Sequence, residues 1–241
     1  MLISGTGCDD TFWEPALASL SGFRVITLHN RGVGNSSDIP DGWTTRDCAG
    51  DVISVLDAAG VESAGVYGHS LGGRIAQWVA ADHPDRVRRL VLGATTVGDV
   101  GGVPRSAAAV EAFASGSISA LLGLAFSAGY RASHPDAARV LVNHLRPRDR
   151  RRQFAMSSAH DGRAALAAIV APTLIVHGRD DGITDVANAA ILQDGIAGAD
   201  LLLLSGASHN YLYDRPEVNG VVAAFLAGAS DAPRRIQQTW T

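Results

Sequence analysis

Val66-Tyr67-Gly68-His69-Ser70-Leu71-Gly72-Gly73 is the stretch on which the reading of this chain turns. The apolar run Ala64 to Tyr67 leads into it, and the helix-like stretch Arg74-Ile75-Ala76-Gln77-Trp78-Val79-Ala80 leaves it. Strand, sharp turn and helix, with serine at the turn, is the context in which Gly-x-Ser-x-Gly presents a nucleophile. Gly68 and Gly72 lack Cβ atoms, so strand and helix can close around a serine held in a strained conformation. The N-terminus of the following helix favours negative charge at the same point. A plain Gly-Ser turn between two buried elements would show the same letters, so the partners of Ser70 must be sought elsewhere in the chain.

Composition removes several function classes. With 241 residues, 46% of them hydrophobic, the chain can bury a full core as one large domain or a domain with an insert. A net charge of −4 argues against a nucleic-acid partner, which would call for a basic face. All 20 basic residues are arginine, which excludes a P-loop lysine, a Schiff base and a Ser-Lys dyad. Cys8 and Cys48 lack metal-ligand spacing and read as free thiols of a reducing cytoplasm. No His/Glu arrangement suggests a metal, and no cofactor is expected. No signal peptide is visible and no apolar run reaches the length of a membrane span.

In chain order, Met1-Leu2-Ile3 reads as a strand ending in the glycine loop Ser4-Gly5-Thr6-Gly7, with a helix over Phe12 to Leu20. Gly5-x-Gly7 is a weak dinucleotide signal, because Asp10 stands where a third glycine belongs. Phe23 to Leu28 is the next expected strand, and Thr45 to Ala59 a helix with Val52, Val55 and Leu56 on one face. Val87 to Leu92, Pro172 to Gly178 and Leu201 to Leu204 are further strands, and Asn219 to Ala227 a closing helix. Residues 98–165 break this rhythm with helical stretches near Ala107–Phe113, Ile118–Phe126 and Asp136–Leu145. They are expected to form a small helical cap on a core of residues 1–97 and 166–229, with a frayed tail at 230–241.

A serine nucleophile needs a base, and the base an orienting acid. Ser70, Asp181 and His209 follow in the order serine, acid, histidine, each just past an expected strand. The carboxyl ends of parallel strands open on one edge of a sheet, so the three can converge. Thr6 and Leu71 are the candidate backbone donors of an oxyanion hole. His69 and Phe126 are candidate pocket residues, although Phe126, like Trp13 and Trp78, also suits packing. His83, His134, His144, His160 and His177 read as surface or pocket-wall residues.

On these residues the chain resembles the α/β-hydrolases of the single-domain, capped type. The resemblance is carried by Gly68-His69-Ser70-Leu71-Gly72-Gly73, by Asn30-Arg31-Gly32-x-Gly34-x-Ser36, by Pro172-Thr173-Leu174-Ile175-Val176-His177-Gly178-Arg179-Asp180-Asp181 and by Gly206-x-x-His209. It covers nearly the whole chain, the cap least. It implies a mostly parallel sheet with helices on both faces, and an acid three residues after Gly178, which favours Asp181 over Asp180 or Asp99. It also implies two strands ahead of Met1, apparently missing here, so that Phe23–Leu28 would be a sheet edge, covered by another chain if the protein is a homo-oligomer. Among sub-families, the cap length and Ala164-Ala165-Leu166-Ala167-Ala168-Ile169-x-Ala171-Pro172-Thr173 are similar to the 3-oxoadipate enol-lactonase group. Two positions depart from the pattern: Ser4-Gly5 replaces the usual His-Gly, and His29 stands where aspartate is usual.

The function expected from this reading is a serine hydrolase of a small carboxylic ester or lactone. A C–C bond hydrolase, a tailoring hydrolase of an aromatic or polyketide pathway, a cofactor-free perhydrolase and a slow small-molecule receptor use the same residues. Haloalkane dehalogenases and epoxide hydrolases need a carboxylate at position 70. Six of the twenty arginines lie between Arg139 and Arg152. They suit a solvated helix start, but one turned inward would clamp a substrate carboxylate.

Overall fold

Every apolar run expected to be a strand enters one parallel sheet. In the computed structural model, which describes residues 1–141, 145 and 147–228, the strands are β1 (Leu2–Ile3), β2 (Thr27–Leu28), β3 (Ala64–His69), β4 (Val87–Gly93), β5 (Thr173–Gly178) and β6 (Asp200–Leu204). Their order across the sheet is β2-β1-β3-β4-β5-β6. The helices are α1 (Glu14–Leu17), α2 (Thr45–Ala58), α3 (Leu71–Asp82), α4 (Ala107–Ser115), α5 (Ile118–Ala125), α6 (Ala128–Ser133), α7 (Pro147–Ser158), α8 (Arg163–Leu166), α9 (Ala187–Gly195), α10 (Tyr211–Asp214) and α11 (Val218–Ala227).

Period-two alternation sends strand side chains to both faces, and both faces are buried, as a parallel sheet requires. Val66, Leu90, Leu92 and Ile175 pack with Leu56 of α2 and Val79 of α3. Tyr67, Val91 and Val176 face the other way, against Trp13, Tyr211 and Phe225. A capping box between Thr44 and Asp47 starts α2. The serine-rich insert between β4 and β5 has a local cause, since Ser106, Ser117 and Ser127 N-cap α4, α5 and α6.

Several expected elements are shorter or differently wound. Of Phe23–Leu28 only Thr27–Leu28 is strand, because its neighbour β1 offers two residues to pair with. This strand is the sheet edge among the described residues. The helix expected over Phe12–Leu20 divides into a 3-10 turn at Asp10–Trp13 and α1, whose first turn accommodates Pro15. Of the helix expected over 136–145, the described residues show a 3-10 turn at Ala137–Leu141. The expected tail at 230–241, His144 and Arg146 lie outside the described residues.

At the serine turn the glycines are obligatory by space alone. A Cβ on Gly72 would overlap the Ile3 carbonyl, and one on Gly68 would overlap the Gly72 carbonyl. Backbone cannot yield as a side-chain tip can, so Gly72→Ala must push α3 away from β1. We expect a loss of about 3 kcal/mol or more in unfolding free energy, or no soluble protein. Urea titration checks this, and an unchanged midpoint would contradict it.

Candidate active site

Ser70 joins β3 to α3 with φ 55° and ψ −117°, a conformation costly for a residue with a side chain. The surrounding backbone holds it there. Its N–H donates to the Gly93 carbonyl at 2.8 Å, and its own carbonyl accepts the Thr95 hydroxyl at 2.7 Å.

The acid and the histidine come from the two neighbouring strand ends. Asp181 lies in the turn after β5, and His209 in the loop after β6. His209 Nδ1 and Asp181 Oδ2 are 2.8 Å apart. A carboxylate only accepts, so Nδ1 carries the proton and Nε2 keeps its lone pair, the tautomer a base needs. The other carboxylate oxygen accepts the N–H groups of Ile183 and Thr184, both at 2.8 Å. The Asp181 side chain is fully buried. Burial works to raise its pKa, but the His209 charge and hydrogen bonds from His177 and His209 together outweigh it, and the carboxyl is held below its ordinary range. Asp214 braces the histidine loop by accepting the Ser208 N–H at 2.7 Å and the Ser127 N–H at 3.0 Å.

Ser70 and His209 line one cavity of about 350 Å³. No hydrogen bond joins their side chains among those described. Gly5 and Thr6 line the same cavity, with Phe113, Leu121 and Phe154 forming apolar wall. The N–H groups of Thr6 and of Leu71, the first residue of α3, have no backbone acceptor among the described bonds. The Thr6 loop is tied to the insert, because Gly7 donates its N–H to Gln153 of α7 at 2.7 Å. Ser4, which departs from the expected His-Gly pattern, is buried and accepts the Trp13 indole N–H at 2.9 Å. His29 pairs with Asp10 at 2.8 Å, a structural contact.

Other residues fall differently from expectation. His69 lines the cavity, but Phe126 does not. Phe126 is buried, stacked on Tyr130 at 5.0 Å and edge-on to Tyr213, so its ring is packing. Asp180 is exposed, and Asp99 lies 3.9 Å from Arg74; the residue on His209 is Asp181. His177 is neither surface nor pocket wall. It is fully buried, with Nε2 3.0 Å from the Thr184 carbonyl and 3.1 Å from Asp181 Oδ2. Both are acceptors, so Nε2 carries the proton and Asp181 faces two imidazole N–H groups. Gln153 and His177 had no signal of role in the sequence, since one lies in a polar helix and the other in an apolar strand. His160 is also buried, bonded to Thr45 at 2.8 Å.

Burial pushes His69 and His160 down to about 3 from an ordinary 6.5. The unfolded chain therefore takes up protons below pH 6.5 that the folded state refuses, and stability falls as pH drops from 6.5 toward 3. The loss by pH 4 is on the order of a few kcal/mol. Urea midpoints between pH 7 and pH 4 should decline steadily, and less steeply in His160→Gln; a flat series would contradict this.

Among the described residues, no helix is long and apolar enough to cross a membrane. The family model for the alpha/beta hydrolase fold matches residues 5–216. A protein of Variovorax paradoxus named "Putative carbamate hydrolase RutD" is 30% identical over 95% of this chain and 92% of its own. A solved structure described as Est816, an N-acyl homoserine lactone degrading enzyme, superposes with a TM-score of 0.81 at 30% identity, covering 93% of this chain and 91% of its own. The enol-lactonase of Burkholderia xenovorans LB400 gives 0.81 at 29% identity, covering 94% and 90%.

Proposed function

The chain belongs to the α/β-hydrolase fold family, and within it we propose a serine hydrolase that cleaves a small carboxylic ester or lactone through an acyl-enzyme. The observation that carries this is the 2.8 Å pair of His209 Nδ1 and Asp181 Oδ2, with Ser70 on the same cavity wall. In the proposed reaction Ser70 Oγ attacks the substrate carbonyl while His209 Nε2 takes the hydroxyl proton. Asp181 holds the imidazole tautomer and stabilises the imidazolium. The N–H groups of Thr6 and Leu71 receive the negative charge that develops on the carbonyl oxygen. Collapse breaks the bond to the alkoxy oxygen, which takes the proton from His209; from a lactone, that alcohol stays attached to the acyl chain. Water then attacks the acyl-serine with His209 again as base, releasing the acid and restoring Ser70. The lactone-degrading and enol-lactonase neighbours support the substrate class, and the carbamate hydrolase relative makes carbamates a necessary comparison.

Fluorophosphonate labelling tests the site. The expected result is one adduct at Ser70, located by peptide mass spectrometry. A panel of aryl esters, lactones, carbamates and C–C cleavage substrates then ranks the reactions. Labelling at another serine would overturn the assignment, and fastest turnover of a carbamate or a C–C bond would move the reaction class.

A further inference from the structure

We propose that Arg150 is a specificity residue that clamps a free carboxylate of the substrate, so the preferred ester or lactone is a monoanion. This deepens the hydrolase reading and rests on it. The cavity beside Ser70 is walled mainly by apolar side chains. Among the described residues that line it, Arg150 is the one with a permanent charge, and no acidic residue lines it.

Helix phase explains why this arginine differs from its neighbours. Arg148 pairs with Asp38, and Arg152 with Asp41 at 2.6 Å. Each lies two residues from Arg150, about 200° around the helix, on a different face. Arg150 shares its face with Phe154, four residues on, which also lines the cavity. Its guanidinium has no carboxylate within ion-pair distance among the described residues. Arg150 is exposed yet lies against the end of α4: a Cβ on Gly116, the left-handed cap of that helix at φ 66°, would come to 3.2 Å from Arg150 Nη1. The helix that presents it is anchored by buried Asp149, which accepts the Ile39 N–H at 3.1 Å, and by Gln153, which accepts the Gly7 N–H. A planar fork on a fixed helix suits bidentate capture of a carboxylate. The reacting carbonyl would lie at Ser70 and the carboxylate at Arg150, separated by the apolar wall.

The test uses the mono-p-nitrophenyl ester of glutaric acid against its methyl-capped form. The wild-type protein should favour the free acid in kcat/KM by about tenfold to a hundredfold, the range for a charge-assisted hydrogen bond. Arg150→Met should abolish that preference through KM, leaving the capped ester within about twofold, and Arg150→Lys should restore part of it. Equal preference in the wild type and Arg150→Met, or an equal loss on both esters, would overturn the clamp. Glutarate binding by calorimetry separates this from the hydrolase reading. Binding lost in Arg150→Met sustains the clamp even if neither ester is hydrolysed, an outcome that would defeat only the chemistry. No binding of glutarate to the wild-type protein overturns the clamp.

Discussion

Ser70→Ala is expected to leave a folded protein whose turnover of any ester or lactone substrate is at least about a thousandfold lower. The fold should survive because the bonds that hold position 70 are made by its backbone: the N–H to Gly93, and the carbonyl from Thr95, Gly73 and Arg74. Alanine keeps the same Cβ and leaves these intact, so the thermal midpoint should hardly move. What disappears is the hydroxyl proposed to carry the acyl group. Residual rate would come from the N–H groups of Thr6 and Leu71 and from binding in the cavity. The measurement is kcat/KM on the best substrate, beside circular dichroism and the thermal midpoint. Activity within tenfold of the parent in a folded variant would remove Ser70 from the chemistry.

How far the site could be read in advance depended on what each residue owes to local sequence. The serine turn was legible because it needs strand, glycine, serine, glycine and helix in immediate succession, and sterics allow few alternatives there. The order Ser70, Asp181, His209 was legible because parallel strands put successive loop residues on one sheet edge. His177 was not legible, since in sequence it is a polar residue within an apolar strand. It becomes a partner of Asp181 only when the turn after β5 folds the carboxylate back toward it. Arg150 was visible only as one of a run of arginines. Which of them faces the cavity depends on the rotation of α7, set by Asp149 and Gln153 docking onto loops more than a hundred residues away. Phe126 stayed open between pocket and packing for a similar reason: an apolar ring near a helix end can fill either, and in the fold it stacks on Tyr130 and lies edge-on to Tyr213. The edge strand shows the limit of local pattern, because its apolar run is longer than the partner available to pair with it.

Asp181→Asn is expected to lower kcat by about a thousandfold or more, to destabilise the fold by about 1–3 kcal/mol, and to do both far more than Asp180→Asn. The wild-type carboxylate is surrounded by donors: two backbone N–H groups on one oxygen, with His209 Nδ1 and His177 Nε2 near the other. An amide has only one oxygen. If that oxygen keeps Ile183 and Thr184, the amide NH₂ meets both imidazole N–H groups. If it turns toward the histidines, the NH₂ meets the backbone donors. The cheapest escape is for His209 to move its proton to Nε2 and accept from the amide at Nδ1. That takes away the lone pair that would receive the Ser70 proton, so the base is lost while the ring stays in place. His177 faces the same conflict in a fully buried setting, where an unsatisfied donor is costly, and this adds the stability loss. Asp180 is exposed, so Asp180→Asn should change kcat by less than about threefold. The two variants are compared by kcat on one substrate and by urea unfolding at pH 7. His177→Phe, which removes one donor, should relieve part of the stability loss when combined with Asp181→Asn but leave kcat low. If Asp180→Asn were the more damaging variant, the orienting acid would be Asp180, and equal mild effects would exclude both residues from that role.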